Sequence, residues 1–136
     1  MGQAASPWHL RARTLTAMVL LVGAQALIRI VPLGRWRGLL GLAGECLPHQ
    51  QIEARRLAVH VERAACRLPW GALCLPQAMA LSIMLKRRHI PHQLVIAIRP
   101  PGRRDDADAL HAWVACGTTI VIGALDGPWH EVARMP

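Results

Sequence analysis

The run Cys74-Leu75-Pro76-Gln77-Ala78-Met79-Ala80-Leu81 completes a helical half of the chain and hands over to a half rich in strand formers. Pro76 fits a helix only in its first turn, where the missing N–H leaves no intrahelical bond unmade, so Cys74 falls at the helix start. Cys74, Ala78, Leu81 and Leu85 recur at steps of 4, 3 and 4, which puts them on one face, turned toward a core. The helix is expected from about Leu75 to Arg88. Its Lys86-Arg87-Arg88 end offsets the negative end of the helix dipole, and Pro91 closes the helical half.

Upstream, residues from about Leu10 to Val31 read as a long helix stopped by Pro32 and Gly34, with a short helix near Arg35 to Leu42. A third helix is expected from about Gln50 to Arg67, where Ile52, Val59 and Cys66 recur every seven residues beside Leu57, Val61 and Ala65. Leu68-Pro69-Trp70-Gly71 breaks it. Downstream, Gln93 to Arg99 reads as a strand, and Pro100-Pro101-Gly102-Arg103-Arg104-Asp105-Asp106 as a loop. Ala109 to Cys116 and Thr118 to Ile122 form two more strands around a turn at Gly117, and Gly123 to Pro136 reads as mostly irregular. Helices first and an antiparallel sheet second is an α+β order. The length implies one domain over residues 1–136, with a helical part at 1–48 and a core at 49–136.

Hydrophobic residues make up 53% of the chain and charged ones 18%, too apolar for disorder. With no Phe and no Tyr, five Trp and the aliphatics must fill the core, and base stacking on aromatics is poorly supplied. The net charge of +8 lies in small clusters, Arg11/Arg13, Arg35/Arg37, Arg55/Arg56, Lys86/Arg87/Arg88 and Arg103/Arg104, which solvate helix faces and select no partner by themselves. No GxGxxG, GxxxxGK[ST] or HExxH occurs, so no nucleotide or zinc cofactor is expected. The four cysteines, Cys46, Cys66, Cys74 and Cys116, include no CxxC pair. They read as free thiols in a reducing, cytoplasmic compartment, with Cys46, Cys66 and Cys116 as small core residues. Among His49, His60, His89, His92 and His130, only His89 and His92 are close in spacing, and they flank a bend, so no metal site is expected. The apolar run Leu15 to Ala24 behind Arg11 and Arg13 is read first as a buried amphipathic helix, then as a membrane-surface segment, then as a cleaved signal.

The chemistry-bearing pair is Cys74 and His111, which opens His111-Ala112-Trp113-Val114. A thiol at a helix start meets unpaired backbone N–H groups and the positive end of the dipole, the setting in which cysteines act as nucleophiles. An imidazole on a strand nearby would serve as base, and a later carboxylate would orient it. Together they point to a cysteine hydrolase.

Cys74-Leu75-Pro76, the basic helix end, the Ile90 to Ile98 strand, His111-Ala112-Trp113-Val114 and the upstream Pro32-Leu33-Gly34-Arg35 turn resemble the lasso-peptide leader peptidases. These are transglutaminase-like enzymes with a papain-like core. The resemblance implies Cys74 as nucleophile, His111 as general base and acid, and Asp126, the only Asp after His111, as third member with Glu131 in reserve. Trp70 and Trp113 become candidate walls of the substrate cleft. It further implies a lasso precursor as substrate, a separate small leader-recognition protein and an asparagine-synthetase-like cyclase as partners, with no nucleic acid and with peripheral membrane contact left open. Where the family usually has Gly after the basic helix end this chain has His89, and Ala115 replaces a common acidic residue after the HAWV element. Two other classes remain: acyl transfer through the same thioester, and a non-catalytic basic module for nucleic acid or membrane.

Overall fold

The structure is a computed structural model that describes residues 7–31, 35, 37–68, 74–98, 110–124 and 129–136. Three helices and four strands lie among them, in the order α1 (Pro7–Ile30), α2 (Pro48–Arg67), α3 (Cys74–Arg87), β1 (Gln93–Ile98), β2 (Leu110–Cys116), β3 (Thr119–Ile122) and β4 (His130–Met135). The strands form one antiparallel sheet in the order β3-β2-β1-β4. The α+β order read from the sequence is the observed one.

Pro7 opens α1 and Pro48 opens α2, both at first-turn positions where no N–H is needed. At the head of α2 the Gln50 side chain turns back to accept the Leu47 N–H at 2.9 Å, half of a capping box. The inner face of α1 (Ala17, Leu21, Ala24) packs against α2 and α3, and α3 packs in turn across β1 and β2. The core joins Leu57, Val61, Met79, Leu81 and Leu85 of the helices to Leu94, Ile96, Ala112, Val114 and Cys116 of the sheet. Alternation along β2 therefore leaves His111 and Trp113 on the other face of the sheet.

Several expectations are corrected. Over the stretch Arg35 to Leu42, where a short helix is expected, Arg35 is helical and Arg37–Leu39 forms a 3₁₀ turn, with Trp36 outside the described residues. In α2 the expectation holds in part: Leu57, Val61 and Ala65 are buried together with Ala54, Ala58 and Ala64, but of the seven-residue repeat Ile52 and Cys66 are exposed. Small alanines, Ala54, Ala58 and Ala64, widen the buried stripe that Leu57, Val61 and Ala65 mark. Cys66 is thus a surface thiol, not a core residue. The chain after Gly123, read as mostly irregular, contains β4. His130, Glu131 and Arg134 give that strand little strand character of its own. It forms because β1, buried along its length, would otherwise leave an unpaired edge.

Helix α3 ends with the Ile90 N–H returned to the Leu85 carbonyl at 3.0 Å and the His89 N–H to Lys86 at 3.1 Å. This closure requires a left-handed residue at the bend, and His89 supplies it with φ 55°. His89 is exposed. Replacing it by Gly is expected to raise stability by about 0.5–1 kcal/mol, because the Cβ strain of a non-glycine residue disappears. Chemical denaturation of His89→Gly against the parent checks this.

The far end of α3 is also held by a buried polar chain. The His92 Nδ1–H donates to the Ile90 carbonyl at 2.8 Å, which leaves Nε2 to accept from the Ser82 hydroxyl at 2.6 Å. Ser82 Oγ in turn accepts the Gly41 N–H at 2.9 Å. Paired backbone bonds between Leu42 and His92 complete the stitch. Ser82 is 0% and His92 2% exposed, so no substrate reaches this serine–histidine pair and its role is structural. Burial, with help from Lys86, holds His92 below its ordinary value of 6.5, against the opposing pull of the Ile90 carbonyl. His60 is lowered too, by burial and then by Arg13, Arg63 and Arg88.

Both histidines are favoured neutral in the folded chain, so below pH 6.5 the unfolded chain takes up protons first. Stability is full above that pH and declines as the pH falls below it, until the lower folded-state values are passed. Thermal unfolding followed from about pH 7.5 to about pH 5 should show a falling midpoint. A flat profile would contradict the assignment.

Candidate functional site

Cys74 is the first described residue of α3 and is half-buried, while Pro76, Ala78 and Met79 behind it are buried. After Arg87 the chain reverses through Arg88 to Pro91, so β1 runs back along α3 from its C-terminal end. Ile98 at the far end of β1 pairs with Leu110, the first residue of β2. The start of α3 and the start of β2, which carry Cys74 and His111, therefore stand at the same end of the helix–sheet pair.

The His111 ring is buried and has a fixed partner. Its Nε2 lies 2.5 Å from the Gly123 carbonyl oxygen. A carbonyl only accepts, so Nε2 carries the proton, and in the neutral ring Nδ1 is the basic nitrogen. Trp129 stacks on the imidazole with centroids 5.2 Å apart and Trp113 lies tilted at 6.1 Å. The small Ala97 is the cross-strand partner of His111 on β1. The ring is thus boxed in by aromatic and small side chains, with one nitrogen tied to backbone.

Gly123 reaches this position because it is a glycine. Its φ is 80°, and a Cβ there would fall 2.6 Å from the Ala112 carbonyl oxygen and 3.2 Å from Trp113 Cα. Only a residue without a side chain brings the strand exit of β3 so close to β2. Its carbonyl is thereby delivered to the imidazole.

Of the residues singled out in the sequence, Trp113 contacts the His111 ring, whereas Asp126 and Trp70 lie outside the described residues. Glu131, the reserve carboxylate, is exposed on β4 and gives both oxygens to Arg134, at 2.8 and 2.7 Å. That hydrogen bonding holds its carboxyl below the usual range. Sequence reading passed over Gly123 and Trp129. A glycine directly after a β-branched strand was a signal for close backbone approach; nothing in the local pattern marked Trp129.

The other cysteines lie elsewhere in the fold. Burial pushes the Cys116 thiol up to about 12, with the adjacent Cys46 thiol adding to the effect, so Cys116 is a poor nucleophile. Cys46 is half-buried beside it, and Cys66 is exposed on α2. Among the described residues no three His, Cys, Asp or Glu side chains group as a metal site would require. No helix among them is long and apolar enough to cross a membrane.

No curated protein and no solved structure matches the chain. A family model, described as the transglutaminase-like superfamily, matches residues 17–135 and so takes in all of α2, α3 and the sheet with both Cys74 and His111. With helices leading into an antiparallel sheet and a cysteine heading the helix that packs on it, the chain belongs to the transglutaminase-like superfamily.

Proposed function

We propose that this chain is a cysteine peptidase that removes the leader from a ribosomally made lasso-peptide precursor. The superfamily includes cysteine proteases and acyltransferases, and the Cys74-Leu75-Pro76 and His111-Ala112-Trp113-Val114 elements favour the leader peptidases within it. The observation that supports the reading is that the starts of α3 and β2, with Cys74 and His111, stand at the same end of the helix–sheet pair, and that with Nε2–H on Gly123 the His111 Nδ1 is left as the nitrogen able to take a proton.

In this mechanism the Cys74 sulfur gives its proton to His111 and attacks the carbonyl carbon of the last leader residue. Backbone N–H groups at the start of α3 hold the oxyanion. The imidazolium then protonates the departing amine as the C–N bond breaks, leaving a thioester on Cys74 and freeing the core peptide. Water, deprotonated by the same imidazole, attacks the thioester and releases the leader acid. Asp126 is assigned to offset the charge of the imidazolium, with the Gly123 carbonyl setting the ring orientation. The freed amine passes to a separate asparagine-synthetase-like cyclase, and a small recognition protein supplies the leader grip.

The test is reconstitution: the purified chain, a candidate precursor and its recognition protein are incubated, and the products weighed by mass spectrometry. Separate leader acid and core amine, differing from the precursor by one water, support the peptidase. A leader bearing an added amine points to acyl transfer, and an unchanged precursor with the recognition protein bound overturns the reading.

A further inference from the structure

We propose that the outer face of α1 and the arginine-lined cavity beside it dock this protein onto an anionic phospholipid surface. The proposal goes beyond the peptidase reading and does not depend on it. One face of α1 is buried, yet the opposite face is also apolar. Trp8, Leu15, Val19, Val22 and Ile30 are exposed, with Val19 at 71% and Ile30 at 79%. With the exposed Ala12 and Ala26 they follow steps of 4, 3, 4, 3, 4 and 4, one straight stripe along a helix of 24 residues. An apolar stripe about 33 Å long is far more than scattered surface residues would give.

Charge selects what covers the stripe. The helix contains no acidic residue, and its charges are Arg11, Arg13 and Arg29. A cavity of about 560 Å³ opens beside it, lined by Ala12, Arg13 and Thr16 of α1 and by Met84, Arg87 and Arg88 at the end of α3. Arg88 is paired with Glu53, but among the described residues neither Arg13 nor Arg87 has a carboxylate partner. Ala12 belongs both to the stripe and to the cavity wall, so apolar face and cationic cavity adjoin.

A second copy of a +8 chain would set arginines against arginines. A nucleic acid would satisfy the arginines and leave the stripe in water. The headgroup–acyl boundary of an anionic membrane satisfies both, taking Trp8, Leu15 and Val19 into its apolar layer and a lipid phosphate between Arg13 and Arg87. The family match begins at residue 17, so Trp8, Arg11, Arg13 and Leu15 precede the matched portion.

Flotation of the full chain with vesicles tests this. Binding is expected to phosphatidylcholine–phosphatidylglycerol vesicles, weakened by salt, and not to phosphatidylcholine alone. Val19→Glu, at an exposed position, should keep the parent's circular dichroism and lose binding. Arg13→Ala combined with Arg87→Ala should weaken it by roughly tenfold or more. Three results overturn the proposal: equal binding to both vesicle types; full competition by glycerol phosphate with Val19→Glu still binding, which marks a soluble-anion site; or a parent dimer without vesicle binding that Val19→Glu dissociates, which gives the stripe to a second copy. Retention of DNA in place of vesicles overturns it as well. Leader cleavage in detergent-free buffer, assayed separately, tells failure here apart from failure of the peptidase reading.

Discussion

Replacing Cys74 by Ala is expected to abolish leader cleavage, with turnover falling at least about 10³-fold, while the precursor and recognition protein still bind. The size of the loss follows from the chemistry. Without sulfur at this position there is no thioester, and Cys116, buried and pushed up to about 12, is a poor substitute. Cys74 is small and half-buried at a helix start, so Ala there should cost little stability. Loss of turnover with an unchanged melting curve therefore isolates the nucleophile. A thiol-directed alkylating probe adds a second readout if the exposed Cys66 is first replaced by Ser; labelling should then concentrate at Cys74 and fall away in the alanine variant. Normal cleavage by Cys74→Ala would sink the peptidase assignment outright.

The second large effect is expected at Gly123. An alanine Cβ would press on the Ala112 carbonyl at 2.6 Å in a backbone region of φ 80°, so the carbonyl that holds His111 must move. We expect a stability loss of about 1–3 kcal/mol from strain and displacement. We also expect turnover to fall by about 10²-fold or more, because the imidazole loses the bond that fixes its tautomer. Orientation and folding are separable: the ring effect should lower kcat well below the transition temperature, with KM little changed, whereas simple unfolding would lower active-enzyme concentration alone. An active-site titration with the thiol probe distinguishes them. Full activity in a folded Gly123→Ala protein would remove the Gly123 carbonyl from the mechanism.

The layout of the fold was readable because its strongest determinants are local. Pro76 could sit only in a first turn, and the described residues of α3 run from Cys74. Pro48 and the break at Leu68 bracket α2, and Gly117, with φ 61°, makes the expected turn between β2 and β3. What escaped was non-local. Strand β4 is specified by the open edge of β1, thirty-odd residues earlier in the chain, more than by His130 or Glu131 themselves. On α2 the sequence marked Leu57, Val61 and Ala65, but Ala54, Ala58 and Ala64, whose value lies in close approach of helices, were passed over.

The same division runs through the site. Cys74 and His111 were conspicuous by residue type and setting, but the group that orients His111 is a main-chain carbonyl, and any residue has one. Only the need for a side-chain-free position betrayed it, at Gly123. At His89, where the resemblance leads one to expect glycine, the bend takes left-handed geometry with histidine.

The buried chain through Gly41, Ser82 and His92 has a consequence for aim. A helix of 14 residues is a stiff rod of about 21 Å, and α3 carries its sulfur at one tip while the stitch clamps the other half to the sheet entrance. Any looseness at the clamp becomes angular error at the tip, amplified by the length of the rod. A protein that never exposes Ser82 or His92 to substrate can thus have its reactivity tuned by them, as a gunsight is set by the screw farthest from the muzzle.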